Sequence, residues 1–437
     1  MPTLSGPRVI GLYGIPGCGK SFLLNKLKKD LKESEFEYFE GSEEIESVTP
    51  GGLDAFKKLG TVQQTHFRQL AIDSIKSKCT KSGKVGVVTG HFIFWSNENQ
   101  AALRVCTDND LSTYTHIIYV NTPVEETAKQ RLQDRERSRS NLSIEHLRRW
   151  QDTEVEELRE LCRQRGILFT TVYPNIDDKL SKLLLDFQAH GEEYNNSIAK
   201  QHLEYALSTH YDELQTVLFL DGDKTLTAQD TGEVFWEKLS PSKVSPLSTL
   251  FSSQLGYSYI AFRQAMLLYE ESTNDAEFDA ICTEVSLQTP LYSQMFSLLH
   301  RLGSHNHIRL VIVTCGLRRV WEKIIEREGL PETVKIMGGG RLADGFVVTP
   351  SVKAYLVSCT KKIHAAYTWA FGDSPLDLPM LAAADQAIVV VGEQRSRSKS
   401  MDIRLLFRVC HDQQDDNSVQ IDGQTQSDPK KARVAVS

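Results

Sequence analysis

The first 190 residues alternate between short apolar runs and longer stretches in which apolar residues recur every three or four positions. Runs of the first kind predict strands, and stretches of the second kind predict amphipathic helices. The predicted strands cover residues 8–13, 36–40, 115–120 and 167–172, together with a β-rich run at 84–95. The predicted helices cover residues 20–32, 67–79, 123–139 and 143–165. Strands that alternate with helices predict a parallel sheet covered by helices on both faces.

The rest of the chain carries a second pattern of the same type. Residues 191–215 are polar and helix-prone, which predicts a helical connector between two domains. A new apolar run at 216–220 opens the second pattern, which continues to about residue 410. The segment 411–437 is rich in Gln, Asp and Ser and has almost no large apolar residues, so we expect it to be disordered. The predicted fold class is α/β, with two doubly wound parallel-sheet domains at 1–190 and 216–410.

Charge narrows the range of partners. The formal net charge is −7. Acidic and basic residues balance across residues 1–190, so the whole excess of negative charge lies in the second part of the chain. A protein that binds nucleic acid over a broad surface is usually strongly basic. The composition therefore argues against nucleic acid as a partner and leaves room only for a local basic groove.

The cysteines and the apolar segments indicate the compartment. The eight cysteines are scattered and form no CxxC pair, which argues against both a zinc site and a disulfide framework. The N-terminal residues lack the charged start and long apolar stretch of a signal peptide. No apolar segment is long enough to span a membrane. We expect a reducing, cytoplasmic setting and no membrane partner.

A phosphate-binding motif follows the first predicted strand and precedes the first predicted helix. The segment GIPGCGKS at 14–21 fits the pattern GxxxxGK[ST]. Its glycines allow backbone N–H groups to turn towards phosphate oxygens, and the following helix contributes its positive N-terminus. The lysine of such a loop reaches the β- and γ-phosphates, and the hydroxyl contacts Mg²⁺. The sequence therefore predicts a site for ATP and Mg²⁺ formed by Gly14, Gly17, Cys18, Gly19, Lys20 and Ser21.

Two further features favour a small kinase. Four arginines (Arg131, Arg135, Arg137 and Arg139) lie at the end of a predicted helix and resemble the lid of nucleoside and nucleotide kinases, which implies that Arg131 and Arg135 contact the nucleotide. Glu40 ends the second strand, where deoxynucleoside-kinase-like proteins have a carboxylate that accepts the acceptor's proton. The arginines also fit a solvated helix face, and Glu40 also fits an ordinary strand-end charge.

One departure from this pattern leaves the kinase assignment open. The third strand ends in Thr89, Gly90 and His91, where a carboxylate that contacts the metal is expected. A loop that binds ATP without transferring its phosphate is therefore an alternative interpretation of residues 1–190.

The second domain begins with a strand that runs into DGDKT at 221–225. Asp221 at the strand end can attack phosphorus as a nucleophile, and Asp223 can protonate the leaving group and then activate water. Thr314 ends a second apolar strand and can hold a phosphate oxygen, while Lys353 at the start of a helix can neutralise charge beside the nucleophile. A third strand ends in FGDSPLD at 371–377, where Asp373 can bind Mg²⁺ alongside Asp221 and Asp377 can orient the metal shell. Hard oxygen ligands of this kind favour Mg²⁺. The predicted metal ligands are Asp221, Asp223, Asp373 and Asp377, with Ser21 as the ligand in the first domain.

These four motifs, in this order, resemble those of the haloacid dehalogenase superfamily. The predominantly helical segment 228–305 resembles the cap of its phosphoserine-phosphatase branch, and the resemblance implies a Rossmann-like core with a cap that closes over the site. Glu233 and Arg263 are candidate substrate contacts in that cap, although both also fit an ordinary cap surface. Lys224 stands where the superfamily usually has Gly.

The combination of the two domains resembles fungal multidomain proteins in which a P-loop kinase-like domain is fused to such a phosphatase. It implies an Mg²⁺-dependent hydrolase of a small phosphorylated metabolite joined to an ATP-binding kinase-like domain. Two alternatives remain: an end-healing enzyme resembling polynucleotide kinase-phosphatases, and a regulatory module controlled by ATP. An oligonucleotide substrate needs an open basic groove, which the acidic second half and the predicted cap disfavour.

Overall fold

The computed structural model describes residues 6–134, 142–173, 179–208, 214–241, 244–391, 401 and 433–436. These residues form two compact units. Unit 1 comprises Met1–Gly191 and Ser252–Gly256, and unit 2 comprises Glu192–Phe251 and Tyr257–Ser437.

Unit 1 contains a five-stranded parallel sheet with the strand order β2-β3-β1-β6-β7. All residues of β1, β3 and β6 are buried, as expected for the central strands of a sheet with helices on both faces. The strands are β1 (Val9–Tyr13), β2 (Phe36–Glu40), β3 (Val85–Thr89), β6 (His116–Val120) and β7 (Leu168–Val172), and a separate hairpin is formed by β4 (Ile93–Phe94) and β5 (Leu103–Arg104).

Eight helices connect and cover these strands in the described part of unit 1. They are α1 (Lys20–Asp30), α2 (Gly41–Val48), α3 (Gly52–Lys58), α4 (Thr61–Ser82), α5 (Asp108–Thr113), α6 (Val124–Gln133), α7 (Ile144–Arg165) and α8 (Lys179–Ala189). The predicted strand at 36–40 has the observed bounds. The helices α2 and α3 were not predicted, because α2 buries no side chain and α3 buries only Phe56, so neither has an apolar stripe.

The helix predicted at 123–139 is shorter in the structure. It ends at Gln133, and Asp134 has an extended backbone. Arg135, Arg137 and Arg139 lie outside the described residues.

Unit 2 contains a six-stranded parallel sheet with the order β10-β9-β8-β11-β12-β13. The strands are β8 (Thr216–Leu220), β9 (Ile308–Leu317), β10 (Val334–Gly339), β11 (Tyr367–Gly372), β12 (Gln386–Val391) and β13 (Arg433–Val436). Both units are therefore parallel α/β structures, and the predicted fold class is confirmed.

The predicted connector belongs to the core of unit 2. Helix α9 (Glu192–Leu207) buries Ala199, Leu203 and Leu207 against Val217 and other residues of the second sheet. Its apolar positions are spaced three or four residues apart and are few, so the surrounding polar residues obscured its buried face in the sequence. The separate connector predicted at 191–215 is thus wrong for the helical part of that segment.

Further helices of unit 2 lie between β8 and β9 and after β9. They are α10 (Thr231–Leu239), α11 (Pro246–Phe251), α12 (Tyr259–Ser272), α13 (Asp275–Leu287), α14 (Ser293–Gly303), α15 (Arg318–Arg327), α16 (Pro350–His364) and α17 (Leu378–Ala383). The predicted cap segment at 228–305 contains α10 to α14, of which α10 and α14 contact β9.

The end of the predicted disordered tail forms a strand. Residues Arg433–Val436 pair in parallel with Ile388–Val391 of β12. An open sheet edge offers unpaired N–H and C=O groups, and the backbone of β13 pairs with those of β12. The prediction of disorder is therefore wrong for these residues, and 411–432 lies outside the described residues.

No helix in the described ranges is both long enough and apolar enough to cross a membrane.

Candidate active site and nucleotide-binding loop

The candidate active site of unit 2 lies at the carboxyl ends of its central strands. Asp221 follows β8 directly, Thr314 lies near the end of β9, and Asp373 follows β11. Because β8 lies between β9 and β11 and all three strands are parallel, their carboxyl ends share one edge of the sheet. The sequence order of the motifs therefore brings these side chains to one place.

Lys353 connects two carboxylates of this site. Its Nζ donates to Asp221 Oδ1 at 2.5 Å and to Asp377 Oδ1 at 2.8 Å. The lysine is 1% exposed. Burial alone would lower the pKa of Lys353, but the charges of Asp221 and Asp377 raise it well above the usual value. Lys353 is therefore held in its charged form beside the candidate nucleophile.

Three carboxylates form a candidate metal centre. Oxygens of Asp221, Asp373 and Asp377 lie within 4.8 Å of one another, and they are the one such group among the described residues. Thr225 Oγ1 donates to Asp373 Oδ1 at 3.2 Å and so orients that ligand. The three clustered carboxylates outnumber the cation bonded to them, Lys353, and the net negative charge suits a hard divalent ion.

The pKa values reflect this crowding. Burial raises the pKa of Asp221 well above its usual range, and the charge of Asp377 adds to the effect. Burial and then Asp377 raise the pKa of Asp373 to about 6. The carboxylates of this group therefore repel one another when they are ionised, and a bound cation would reduce that repulsion.

The carboxylate of Asp223, a predicted metal ligand, is not among the three clustered carboxylates. Asp223 Oδ2 accepts from Thr231 Oγ1 at 2.9 Å, and Oδ1 accepts from Trp321 Nε1 at 3.1 Å. Burial and then the charge of Asp230 raise the pKa of Asp223 to about 7. A carboxyl group with this pKa can both give and take a proton near neutral pH, which suits a general acid and base.

Gly316 explains how Asp223 and Thr314 come together. A Cβ atom at Gly316 would lie 2.6 Å from Asp223 Oδ2 and 3.1 Å from Thr314 Oγ1. Its backbone N–H donates to Thr314 Oγ1 at 2.9 Å. The absence of a side chain at this position therefore allows both groups to approach the same backbone.

Lys224, which replaces the usual glycine, adopts a left-handed backbone with a φ of 61°. This conformation costs a residue with a side chain about 1–2 kcal/mol. Lys224 Nζ donates to Asp230 Oδ2 at 3.1 Å, and Asp230 in turn accepts from Glu233 N at the start of α10. The lysine therefore joins the turn at 221–225 to the helix α10.

The two candidate substrate contacts in the cap have different environments. Glu233 is exposed in the first turn of α10. Arg263 is 2% exposed inside α12, where its Nη1 contacts Met266 Sδ at 3.4 Å.

The phosphate-binding loop of unit 1 lies between β1 and α1, as predicted. Gly14, Gly17 and Gly19 have φ values of 149°, 99° and 92°, which residues with a side chain rarely adopt. A Cβ atom at Gly14 would lie 2.7 Å from Cys18 Sγ. The glycines are thus required by the backbone path of the loop.

Lys20 folds over this loop. Its Nζ donates to Gly14 O at 2.5 Å and to Ile15 O at 3.3 Å, and it lies 3.8 Å from Cys18 Sγ. Burial raises the pKa of the Cys18 thiol, so the thiol is neutral. Ser21 is partly buried in the first turn of α1, next to Lys20.

Arg131, the first of the four arginines, is anchored to the loop itself. Arg131 is 9% exposed, and its Nη1 donates to Pro16 O at 2.9 Å. The end of α6 is therefore fixed at the phosphate-binding loop. Arg135, the second predicted nucleotide contact, lies outside the described residues.

Glu40 lies at the carboxyl end of β2 and is paired with the end of β3. Thr89 Oγ1 donates to Glu40 Oε2 at 2.7 Å, and Gly41 N donates to Thr89 Oγ1 at 3.1 Å. Glu40 of β2 therefore places a carboxylate beside the end of β3, a strand that has no acidic residue.

Glu154 of α7 is a buried carboxylate that the sequence analysis missed. It is fully buried and accepts from Ile93 N at 3.0 Å, from Trp150 Nε1 at 3.3 Å and from Tyr119 Oη at 2.8 Å. Burial raises the pKa of Glu154, and the charge of Lys20 partly opposes this. Glu154 therefore lies close enough to the phosphate-binding loop for the charge of Lys20 to lower its pKa.

Two groups that hold Asp223 were not predicted from the sequence. Thr231 begins the first cap helix, and Trp321 lies in the helix after β9 with its ring against Gly222. The apolar positions Val320, Trp321 and Ile324 mark the buried face of that helix, and a polar N–H on such a face was the available signal.

The comparisons with known families agree with this geometry. Residues 13–148 match a family model described as an AAA domain, and residues 218–382 match one described as a haloacid dehalogenase-like hydrolase. The chain therefore combines a P-loop kinase-like domain with a haloacid dehalogenase-like hydrolase domain, and both predicted assignments are confirmed. No curated protein matches the chain.

Similar solved structures include phosphoserine phosphatases. One in the apo form has 16% identity and a TM-score of 0.29, covering 40% of this chain and 86% of that chain. A phospho-aspartyl intermediate analogue of phosphoserine phosphatase has 14% identity and a TM-score of 0.30, covering 44% of this chain and 99% of that one. The L-2-haloacid dehalogenase from Xanthobacter autotrophicus has 13% identity and a TM-score of 0.28, covering 42% and 80%.

Proposed function

We propose that unit 2 is an Mg²⁺-dependent hydrolase of small phosphomonoesters that acts through an aspartyl-phosphate. The observation that carries the proposal is the pairing of two aspartates with different environments. Asp221 is bonded to the charged Lys353 and belongs to the metal group, whereas Asp223 is bonded to Thr231 and Trp321 and has a pKa of about 7. Two carboxyl groups with such different surroundings suit a nucleophile and an acid.

The chain's own residues account for each bond change. Asp221 attacks phosphorus, the bond from phosphorus to the ester oxygen breaks, and Asp223 gives its proton to that oxygen. The ionised Asp223 then takes a proton from water, whose oxygen attacks the aspartyl-phosphate and releases inorganic phosphate and Asp221. Thr314 and Lys353 are suited to bind phosphate oxygens during both steps.

The metal ligands in this proposal are Asp221, Asp373 and Asp377. Bound Mg²⁺ would neutralise charge on the phosphate and on the nucleophile. The pKa of Asp373, raised by burial and by Asp377, supports a cation at this position.

The preference for small esters rests on burial. Asp221 is only 7% exposed, and the first cap helix begins at Thr231, which is itself bonded to Asp223. A polymer would need an open approach to the nucleophile, so a small phosphorylated metabolite is the proposed substrate.

For unit 1 we propose an ATP site in which Lys20 and Ser21 contact the phosphates and Mg²⁺, with Glu40 as the base of a kinase. The loop conformation supports nucleotide binding. Glu40 is held at the strand ends by Thr89, which supports its role as the base. A regulatory unit that only binds ATP is the alternative, because β3 ends without an acid of its own.

The hydrolase proposal is tested by phosphate release with Mg²⁺ from phosphoserine, sugar phosphates, nucleoside monophosphates and a 3′-phosphorylated oligonucleotide. We expect turnover of small esters by the wild type and none by Asp221→Asn. Turnover that persists in Asp221→Asn would refute the aspartyl-phosphate. A preference for the oligonucleotide would favour an end-healing enzyme instead.

The ATP site is tested by titrating the protein with Mg²⁺–ATP in a calorimeter. Lys20→Ala should lose nucleotide affinity while its phosphatase turnover stays unchanged. ATP affinity that survives in Lys20→Ala would refute the assignment. Binding by the wild type without phosphate transfer to any acceptor would favour the regulatory alternative.

A further inference from the structure

Arg341 lies on the core of unit 2, two residues after β10, yet its guanidinium is enclosed by the cap. The residue is 5% exposed. Its Nε donates to Glu270 Oε2 at 2.8 Å and its Nη2 donates to Glu270 Oε1 at 3.1 Å. This is a two-point pairing between planar groups, the geometry in which arginine binds a carboxylate most firmly.

The same guanidinium also completes the end of helix α12. Its Nη1 donates to Thr273 O at 3.2 Å and to Tyr269 O at 3.4 Å. The last carbonyl groups of a helix lack partners within the helix and attract positive charge. Arg341 therefore satisfies groups that the cap cannot satisfy by itself.

Helix α13 is bound at the same point. Arg341 Nη2 donates to Asp275 Oδ1 at 3.1 Å, and the guanidinium carbon lies 4.9 Å from the centre of the Phe278 ring. One core side chain thus contacts both of the helices that meet at the junction of α12 and α13.

The backbone around Arg341 is itself fixed. Arg341 N donates to Asp344 Oδ2 at 2.8 Å, and Leu342 N donates to Glu270 Oε2 at 3.3 Å. Asp344 therefore fixes the backbone at Arg341 within its own turn, and Leu342 adds a backbone contact to Glu270 of the cap.

The other charged contacts between cap and core are more exposed. Asp279 of α13 pairs with Arg319 and Lys323 of α15, and the Asp279 side chain is 43% exposed. Exposed ion pairs contribute little because water and salt weaken them. The buried Arg341 cluster is therefore the stronger charged attachment of α12 and α13.

We propose that Arg341 is a specificity-determining residue that holds the cap helices α12 and α13 against the core and thereby restricts the site to small phosphomonoesters. The inference rests on the proposed hydrolase function. An ester too large to fit beneath the cap must displace these helices, and the buried contacts of Arg341 oppose that displacement.

The test compares kcat/KM for phosphoserine with kcat/KM for a 3′-phosphorylated oligonucleotide in the full-length protein. In Arg341→Gln we expect the ratio of oligonucleotide to phosphoserine turnover to rise at least tenfold. Arg341→Lys keeps the charge but loses the two-point pairing, and we expect an intermediate rise. Arg319→Gln is the matched control, since it removes a cap-directed arginine with half-exposed contacts, and its ratio should change less than twofold.

Three outcomes separate the possibilities. An unchanged ratio in folded Arg341→Gln and Arg341→Lys, with wild-type turnover present, would overturn this inference alone. Loss of the native thermal transition in both variants would also overturn it, because the residue would then be needed for folding and not for selectivity. Absence of hydrolysis of either ester by the wild type would refute the hydrolase proposal itself.

Discussion

Replacement of Lys353 by Met removes the cation that is bonded to Asp221 and Asp377 of the metal group. The methionine has a similar length but no charge, and Asp221 and Asp377 each lose a contact, of 2.5 and 2.8 Å respectively. At an effective dielectric constant of about 20, each contact corresponds to about 6 kcal/mol of gross attraction. Much of this is offset by the cost of burying the charges. Loss of one partner from a buried pair typically costs about 3–5 kcal/mol, and we expect a loss in this range for unit 2.

The loss should depend on pH and on Mg²⁺. A carboxyl group whose pKa is raised in the folded protein destabilises the fold as pH rises through that value, because the ionised form is the disfavoured one. Burial and Asp377 already raise the pKa of Asp373 to about 6. We therefore expect Lys353→Met to be less destabilised at pH 5 than at pH 8. Saturating Mg²⁺ should stabilise the variant more than the wild type, since it replaces the missing positive charge.

The assay is native-state hydrogen exchange, in which peptides from β8 and β9 report the unfolding of unit 2 separately from unit 1. Lys361→Met serves as the control on the same helix, because the Lys361–Asp385 pair is partly exposed and should contribute at most about 1 kcal/mol. Equal stability of Lys353→Met and wild type within about 0.5 kcal/mol at pH 8 without Mg²⁺ would refute the reasoning.

Other residues give three further predictions. Trp321→Phe removes the indole donor to Asp223, and a hydrogen bond to a charged group is worth about 1.5–3 kcal/mol. We therefore expect kcat to fall about 10–100-fold for aliphatic esters. The fall should be smaller for p-nitrophenyl phosphate, whose good leaving group needs no acid. Lys224→Gly relieves the strain of the left-handed backbone but loses a half-exposed ion pair, so the free energy of unfolding measured with denaturant should change by less than about 1 kcal/mol. Lys224→Ala loses the ion pair and keeps the strain, so it should be less stable than wild type. Burial raises the pKa of Glu154, so its contribution to stability is fullest below the unfolded pKa of about 4.3 and is lost as pH rises through the folded pKa. The Tm of Glu154→Gln should therefore fall less than the Tm of wild type between pH 4 and 8.

A different result for any of these three variants would contradict the role given to that residue. Equal losses of Trp321→Phe on both esters would remove the indole from the protonation step. A marked destabilisation by Lys224→Gly would mean that the ion pair outweighs the backbone strain. Parallel pH profiles for Glu154→Gln and wild type would mean that the glutamate does not titrate differently in the folded protein.

The order of motifs in unit 2 was sufficient to predict that the carboxylates of Asp221, Asp373 and Asp377 meet. Asp221, Thr314 and Asp373 each end an apolar run, and parallel strands bring their carboxyl ends to one edge whatever the length of the connections. The phosphate-binding loop was predictable for a similar reason, because the positive φ angles of a tight loop between a strand and a helix require glycines at fixed positions. Local patterns of this kind are independent of distant packing.

Contacts made by side chains from distant elements were not predictable. Trp321 and Thr231 orient Asp223, and Arg341 binds the cap, yet each is an ordinary residue within its own segment. The role of each depends on which helix packs beside which strand. Sequence spacing does not encode that relation for a single chain.

The sequence by itself determined the two α/β domains, the phosphate-binding loop and the acidic strand ends, because those features follow from local periodicity and from residues placed at strand ends. Only the tertiary structure decided that α9 joins the second core, that β13 extends its sheet, that Asp223 is not among the three clustered carboxylates and that Glu40 pairs with Thr89. Each of those outcomes depends on packing between segments that are distant along the chain, and packing selects among arrangements that the local pattern allows equally.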